Sequence, residues 1–458
     1  MFKPNFILNS DSYKMSHFLF YPENTTNVYS YMESRGGRYP ATVFFGLQGF
    51  LKEYLQTPIT KEDIDYAEEF AQQHGVPFNK NGWEHILNKH GGLMPVEIKA
   101  VKEGSLIPNH NVLMTVENTD PVVPFITSYI ETMALRLWYP ITVATRSFNM
   151  KNDIMPFFEA TSDGEDMAFS LVDFGARGCT SYESNQIAGA AHLLNFSGSD
   201  SMAAIDYVRQ MYGGQIAGFS VPATEHSIMC AYGQENELAS FKRIIEQAPA
   251  NGIISVVSDT WDIFSAAEKW TTLKEVIMNK NLKLVVRPDS GEIEDVLPYI
   301  LGTLAQGFGV SKNNKGFNVI NGCSVLWGDG MNEETITNPF KIAMDCKISS
   351  DSIVVGSGGG LLQSGIDRDT NKFAFKASNV TVDGVDIPIA KDPVTDPGKR
   401  SKKGRMVLNC DSGYRTVTSE DPHFDFYSSD ELQVVYYNGM LYNETNIGEI
   451  RERIGYGN

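Results

Sequence analysis

Four nearly continuous apolar stretches in the middle of the chain constrain its fold more than any other feature. They are Ile253–Val257 (IISVV), Leu282–Val286 (LKLVV), Cys323–Trp327 (CSVLW) and Ser352–Val355 (SIVV). A strand that alternates apolar and polar residues keeps one wet face. One that is apolar almost throughout is buried on both, as in parallel sheets covered by helices. Each stretch ends in a polar or glycine-bearing cluster (SDTWD, RPDSG, GDGMN, GSGGG), and helix-like segments follow the first three. The starts lie about 30–40 residues apart, the length of a strand–loop–helix unit. Polar residues gathered at the C-terminal ends of successive parallel strands are how a β/α barrel builds a site. A doubly wound sheet shares this periodicity, and the barrel is the preferred reading.

The flanks have a different texture. Asn27–Met32 and Thr42–Phe45 are β-branched and aromatic, and residues 96–117 alternate around Pro, Gly and Asn turns. Lys372–Val382, Met406–Leu408, Tyr414–Val417 and Leu432–Tyr437 read as further antiparallel strands. A helix is expected from Thr60, which can cap it, to Gly75, which can stop it. A second is expected over Pro124–Tyr139, ended by Pro140. The predicted organisation is an α/β chain: a β-rich domain made by both termini (1–140 plus 373–458) around a β/α-barrel domain (141–372).

Acidic residues outnumber basic ones, 56 to 38, for a formal net charge of −18. That argues against a nucleic-acid-coating protein, whose affinity comes from Lys and Arg. No run approaches the roughly 18 apolar residues of a membrane span. The start, MFKPNFILNSDSYK, has no leader-like apolar core, so a soluble cytoplasmic protein is expected. Five cysteines without a CxxC pair read as reduced, mostly buried thiols.

Several clusters carry chemistry. Gly356–Gly360 follows an apolar strand and precedes a helix-like start, an arrangement that can present backbone N–H groups to phosphate; a tight turn is the plainer alternative. In VVRPDSG, Arg287 offers a planar fork for phosphate or carboxylate, and Asp289 can hold a hydroxyl or a metal-bound water. Asp259 and Asp329 end neighbouring strands, and the three acids suit a sugar phosphate with Mg²⁺. His226 in FSVPATEHS is a candidate nucleophile or acid–base group, although most histidines are only packed. The run Lys399–Arg405 (KRSKKGR) reads either as a solvated loop or as a polyphosphate cradle.

Taken together, NSDSYKMSH, YSYMESR, VEIKAV, VENTDP, WYPITVAT, DFGARG, SVPATEHS, VVSDTWDI, RPDSG, GDG, GSGGGLLQ and KDPVTDP-KRSKKGR resemble, in the same order, the nicotinamide phosphoribosyltransferases. The resemblance implies an irregular β/α barrel joined to an antiparallel β domain. It implies a homodimer with shared active sites, transferring phosphoribose from 5-phosphoribosyl 1-pyrophosphate to nicotinamide. It further implies that Phe174, and Tyr13 from the partner subunit, clamp the pyridine ring and that Asp200 accepts the amide hydrogen. Arg177 and Arg287 would bind the ring side and the diphosphate, and Asp289 the ribose. Gly328, Asp329, Gly358, Gly359 and Arg368 would hold the sugar phosphate. His226 would be the histidine that ATP phosphorylates, oriented by Asp259. Arg35, Lys376, Lys391 and Lys399 would meet polyphosphate from the partner subunit. Mg²⁺ and ATP are the implied cofactor and co-substrate.

Three rivals remain at this level. Nicotinate phosphoribosyltransferase has a similar fold and reaction, but a carboxylate at position 200 would repel its anionic substrate. A sugar-phosphate isomerase or aldolase would favour a Schiff-base lysine at a strand end, and the four strongest runs carry none. A non-catalytic polyanion-binding protein would need only the basic run.

Overall fold

A computed structural model describes residues 5–164, 167–395, 400–411, 413–422, 424 and 429–456. The chain divides into two compact units. One comprises Met1–Thr145, Gln210–Gly214 and Ile366–Ile454; the other comprises Arg146–Arg209, Gln215–Gly365 and Gly455–Asn458.

The second unit holds the parallel sheet. We label its strands β1 (Leu171–Asp173), β2 (Gly198–Ser199), β3 (Ile253–Val257), β4 (Lys283–Arg287), β5 (Cys323–Trp327) and β6 (Ile353–Ser357). Their spatial order is β2-β1-β6-β5-β4-β3, with every pairing parallel. The two edges meet a single irregular segment. Phe219 bridges Gly198 beside β2, and Ala223 bridges Ser255 in β3, both in the parallel sense. Four backbone hydrogen bonds hold this segment: Ser199 N–H to Phe219 O, Phe219 N–H to Ser197 O, Thr224 N–H to Ser255 O, and Ser255 N–H to Pro222 O. The sheet therefore curls into an irregular β/α barrel, as expected from the apolar runs. Val256, Val257, Leu284, Val286, Val325 and Val355 are buried in it.

The first unit carries a seven-stranded antiparallel sheet in the order 385–388, 373–382, 25–34, 112–118, 96–100, 433–437, 440–441. Strands from both ends of the chain interleave because Thr25–Ser34 pairs with Phe373–Val382 on one side and Val112–Asn118 on the other. The helix Lys61–His74 begins in a capping box, with Thr60 and Asp63 satisfying each other's backbone N–H groups, and ends at Gly75 in a left-handed conformation.

Two local expectations fail. Pro140 does not end a helix; it lies in the first turn of a 24-residue helix, Trp138–Thr161. The first turn is where proline is tolerated, since its missing N–H would have had no intrahelical partner there. The apolar stretch before it instead breaks into short helices, Phe125–Tyr129 and Glu131–Leu135. The cysteines are all free, but Cys230, Cys346 and Cys410 are exposed, contrary to the expectation of mostly buried thiols. Only Cys323 is fully buried, and burial pushes its thiol up to about 12. Among the described residues no helix is long and apolar enough to cross a membrane.

Candidate active site

The staves of the barrel carry the candidate residues at or just beyond their C-terminal ends. Phe174 follows β1, Asp200 follows β2, Asp259 lies two residues beyond β3, and Arg287 closes β4 with Asp289 two residues on. Gly328-Asp329 follow β5, and Gly358-Gly359 follow β6. His226 opens the helix His226–Tyr232, directly after the irregular stave.

The charged residues converge. The Nε2 of His226 stands 3.6 Å from Asp259 Oδ1 and 3.7 Å from Asp289 Oδ2, within ion-pair reach of both. Its Nδ1 lies 3.2 Å from the Thr260 hydroxyl, and the ring is half exposed. The Asp259 side chain is buried: Ser290 donates to its Oδ2, while its Oδ1 has no hydrogen-bond partner. Arg287 Nη2 is 3.9 Å from Asp289 Oδ2, and its buried Nε also has no partner. A buried carboxylate oxygen and a buried guanidinium N–H left unpaired are costly. Both lie at C-terminal strand ends of the barrel, and such unpaired buried groups are what a ligand could complete.

The aromatic part depends on glycine. The Phe174 N–H donates to Ser357 O at 2.9 Å, anchoring the chain at β6. Its ring packs against Gly356, where an added Cβ would sit 2.1 Å from Cε2. The next glycine along the rim, Gly328, faces both the Phe174 ring and Asp289 Oδ1, at 3.9 and 3.4 Å from an added Cβ. Asp200 is exposed beside this pocket; its N–H donates to Asp173 O at 3.0 Å, and Ser220 donates to its Oδ1. Arg177 lies on the one-turn helix Ala176–Gly178, close to the same strand end.

The glycine loop differs from expectation. Gly356 belongs to β6 itself, and the following helix, Gly359–Leu362, is a single turn, too short to add a substantial dipole. Gly360 has no room for a side chain, since an added Cβ would lie 2.3 Å from Met331 O. An added Cβ at Gly358 would meet nothing nearer than Phe174 O at 3.6 Å, whereas at Gly359 it would come within 3.0 Å of the Ser364 hydroxyl.

The remaining candidates lie in the first unit. Tyr13 is exposed, beside His17 at 5.3 Å between ring centroids, with Lys14 Nζ 5.4 Å from its ring centroid. Arg35 pairs with buried Glu33 at 2.8 Å, which also accepts from Lys402. Lys376 is 3.8 Å from Glu131, and Lys14 pairs with the same carboxylate. Burial holds the Lys376 ammonium below its ordinary range, with Arg35, Lys14 and Lys391 adding repulsion while Glu131 opposes them. Arg35, Lys376 and Lys391 are thus brought together, whereas Arg368 is exposed and paired with its neighbour Asp369 at 3.1 Å. Lys399 lies outside the described residues. The rest of the basic run is paired at home: Arg400 with Asp392, Lys402 with Glu33, Lys403 with Glu420 and Arg405 with Glu117.

Sequence reasoning missed four participants: Ser220, Thr260, Ser290 and Lys14. The first three are hydroxyl and backbone-adjacent partners whose role appears only when the staves are closed. Lys14 was legible in principle, as the residue following Tyr13 in a polar segment, yet it is buried and paired.

A curled parallel sheet with acids, an arginine and a histidine converging at its C-terminal mouth has the arrangement of a β/α-barrel enzyme's active site. Residues 169–439 match the model of the nicotinate phosphoribosyltransferase (NAPRTase) family, and residues 5–98 match that of the nicotinamide phosphoribosyltransferase N-terminal domain. The chain belongs to the nicotinate phosphoribosyltransferase family. Within that family it is 43% identical to the nicotinamide phosphoribosyltransferase of Xanthomonas campestris pv. campestris, covering 98% of this chain and 97% of that protein. It is 31% identical to the nicotinamide phosphoribosyltransferase of Acinetobacter baylyi, over 97% and 96% of the two chains. Among solved structures, the nicotinate-nucleotide pyrophosphorylase of Pyrococcus furiosus superposes with a TM-score of 0.62 at 16% identity, covering 99% of this chain and 96% of that one. Human nicotinic acid phosphoribosyltransferase gives 0.61 at 15% identity, covering 97% and 93%. Both share the fold.

Proposed function

We propose that the chain makes nicotinamide mononucleotide in NAD salvage, by transferring phosphoribose from 5-phosphoribosyl 1-pyrophosphate to nicotinamide and releasing pyrophosphate. The observation that carries this choice over nicotinate is Asp200, one strand away from Phe174. One of its carboxylate oxygens accepts from Ser220. A carboxylate beside the ring pocket accepts an amide N–H and repels a second carboxylate. The high identity to nicotinamide-using relatives supports the same choice.

The chemistry follows from the charges. As the bond from sugar C1 to pyrophosphate breaks, positive charge grows on the ribose and negative charge on the leaving group. Arg287, with its unpaired Nε, stabilises the diphosphate, and Asp289 holds the ribose hydroxyls. Asp259 and Asp289 are hard oxygen donors that fit Mg²⁺, which supplies further neutralisation of the diphosphate when bound. Phe174 positions the pyridine so that its nitrogen attacks C1 in line. Tyr13 of the partner subunit provides the second face in a homodimer with shared sites, and Arg177, Gly328, Asp329, Gly358, Gly359 and Arg368 complete the substrate contacts.

His226 couples ATP to this transfer. Two carboxylates beside Nε2 favour the tautomer protonated there, which leaves the Nδ1 lone pair as nucleophile. Attack on the γ-phosphorus forms an N–P bond and expels ADP; hydrolysis later returns phosphate and the free imidazole. Arg35, Lys376, Lys391 and Lys399 offer positive charge to polyphosphate.

The test is a product assay with nicotinamide and nicotinate side by side, each with and without ATP. Nicotinamide should be strongly preferred and stimulated by ATP. Equal or better use of nicotinate would overturn the substrate, and indifference to ATP would overturn the coupling.

A further inference from the structure

We propose that His85, His90 and Asp120 form a binding site for a divalent ion of the zinc class. None of these residues belongs to the site already described. His85 and His90 lie on the helix Lys80–His90, and Asp120 lies between the strand Val112–Asn118 and the helix Phe125–Tyr129.

The carboxylate is fixed before any ligand arrives. Asp120 is 2% exposed, and its Oδ1 accepts the Val122 N–H at 2.9 Å. Its backbone oxygen accepts from the Asn118 side chain. That leaves Oδ2, and both imidazoles converge on it through Nε2, at 2.9 Å for His85 and 2.7 Å for His90. The three candidate ligand atoms lie within 4.8 Å of one another. Ligand bonds of about 2.0–2.2 Å in a tetrahedral shell need donor atoms about 3.3 Å apart, so each ring nitrogen must withdraw from Oδ2 by about half an ångström while the two nitrogens settle at the same spacing from each other. Both rings are partly exposed and free to make that adjustment.

The donor chemistry selects the ion. Two neutral imidazole nitrogens and one carboxylate suit Zn²⁺, Co²⁺ or Ni²⁺, whereas Mg²⁺ and Ca²⁺ prefer an all-oxygen shell. The fourth position faces solvent and takes water. The competitor is Lys89, whose ammonium lies 2.8 Å from the same Oδ2. Its side chain is 56% exposed, so it can swing into water as the ion enters. A bound ion would tie one helix to a loop 30–35 residues further along the chain.

The test uses the full-length chain, stripped with a chelator and titrated with Zn²⁺ alone by calorimetry. His226→Ala serves as the background, because His226 with its two acids offers a second cluster of possible ligands. In that background one Zn²⁺ should bind per chain and raise the thermal transition, and Co²⁺ should give visible absorption of a tetrahedral nitrogen–oxygen shell. Adding His85→Gln or His90→Gln should weaken binding at least tenfold; glutamine keeps a donor for Asp120, so the fold should persist, as circular dichroism would report. Lys89→Met, which removes the competing ammonium, should tighten it several-fold. Absence of binding in the His226→Ala protein, or affinity that survives both glutamine changes, would overturn the site and leave the three residues as a hydrogen-bonded clamp.

Discussion

Asp200 and His226 show how differently two side chains can depend on their surroundings. Asp200 needs only its position: exposed, one strand from Phe174, with Ser220 holding one oxygen. Replacing it with serine removes the charge proposed to repel nicotinate and keeps a hydrogen-bonding group. Asp200→Ser should therefore narrow the ratio of kcat/KM for nicotinamide over nicotinate by about tenfold or more, read in parallel assays of the two bases. An unchanged ratio would place the specificity elsewhere. His226 depends on its neighbours, since Asp259, Asp289 and Thr260 surround the ring. His226→Ala should abolish ATP hydrolysis and its stimulation of product formation while leaving measurable basal transfer, because the sugar chemistry needs no protein nucleophile. Full stimulation in that variant would remove the histidine from the coupling. His226 stood out in the sequence by its place in FSVPATEHS, whereas Asp200 was legible only through the family resemblance, because the two-residue stave before it leaves no periodic signal. Their hydroxyl partners were not legible, because Ser220, Thr260 and Ser290 are ordinary polar residues until neighbouring staves bring them together.

Among the elements, long and uniform ones were readable, whereas short ones were not. The strands β3 to β6 announce themselves as apolar runs, and the helix Lys61–His74 carries its cap and stop in plain sight. Strands β1 and β2 have three and two residues, too few for any periodicity to register. Pro140 misled because proline is compatible with the first turn of a helix as well as with the end of one. The run GSGGG reads as a phosphate loop, yet its first glycine belongs to β6 and seats the Phe174 ring. Gly356→Ala should push that ring out of place and lower kcat/KM for nicotinamide by about tenfold to a hundredfold, the usual effect of an ångström-scale misplacement. The thermal transition measured alongside separates this from unfolding, and wild-type KM and kcat in a folded variant would show that the ring is not positioned by Gly356.

At the scale of the whole molecule, two units are woven from a chain that leaves the first, builds the second and returns, so the antiparallel sheet needs strands from both ends. Alternation in the flanks made that return legible. Tyr13, exposed in the first unit, is the proposed partner-subunit face of the ring clamp, which makes the active site a property of the dimer. Mixing Tyr13→Ala with Arg287→Ala, by co-expression or joint refolding, tests this directly. In a mixed dimer one site carries both defects and the other neither, so random assortment should restore roughly a quarter of wild-type activity, since two-fold symmetry gives two equivalent sites. No recovery, with mixed dimers demonstrated, would confine each site to one chain.

The stave that closes the barrel has consequences for motion. Its edges are stitched by four backbone hydrogen bonds, whereas β3 and β4 run in full register over five residue pairs. The barrel therefore has a seam, and the seam leads straight into His226. Local opening is least costly where the fewest ladder bonds must break. The amide protons of Phe219 and Thr224 should exchange with solvent well before those of residues 284–286.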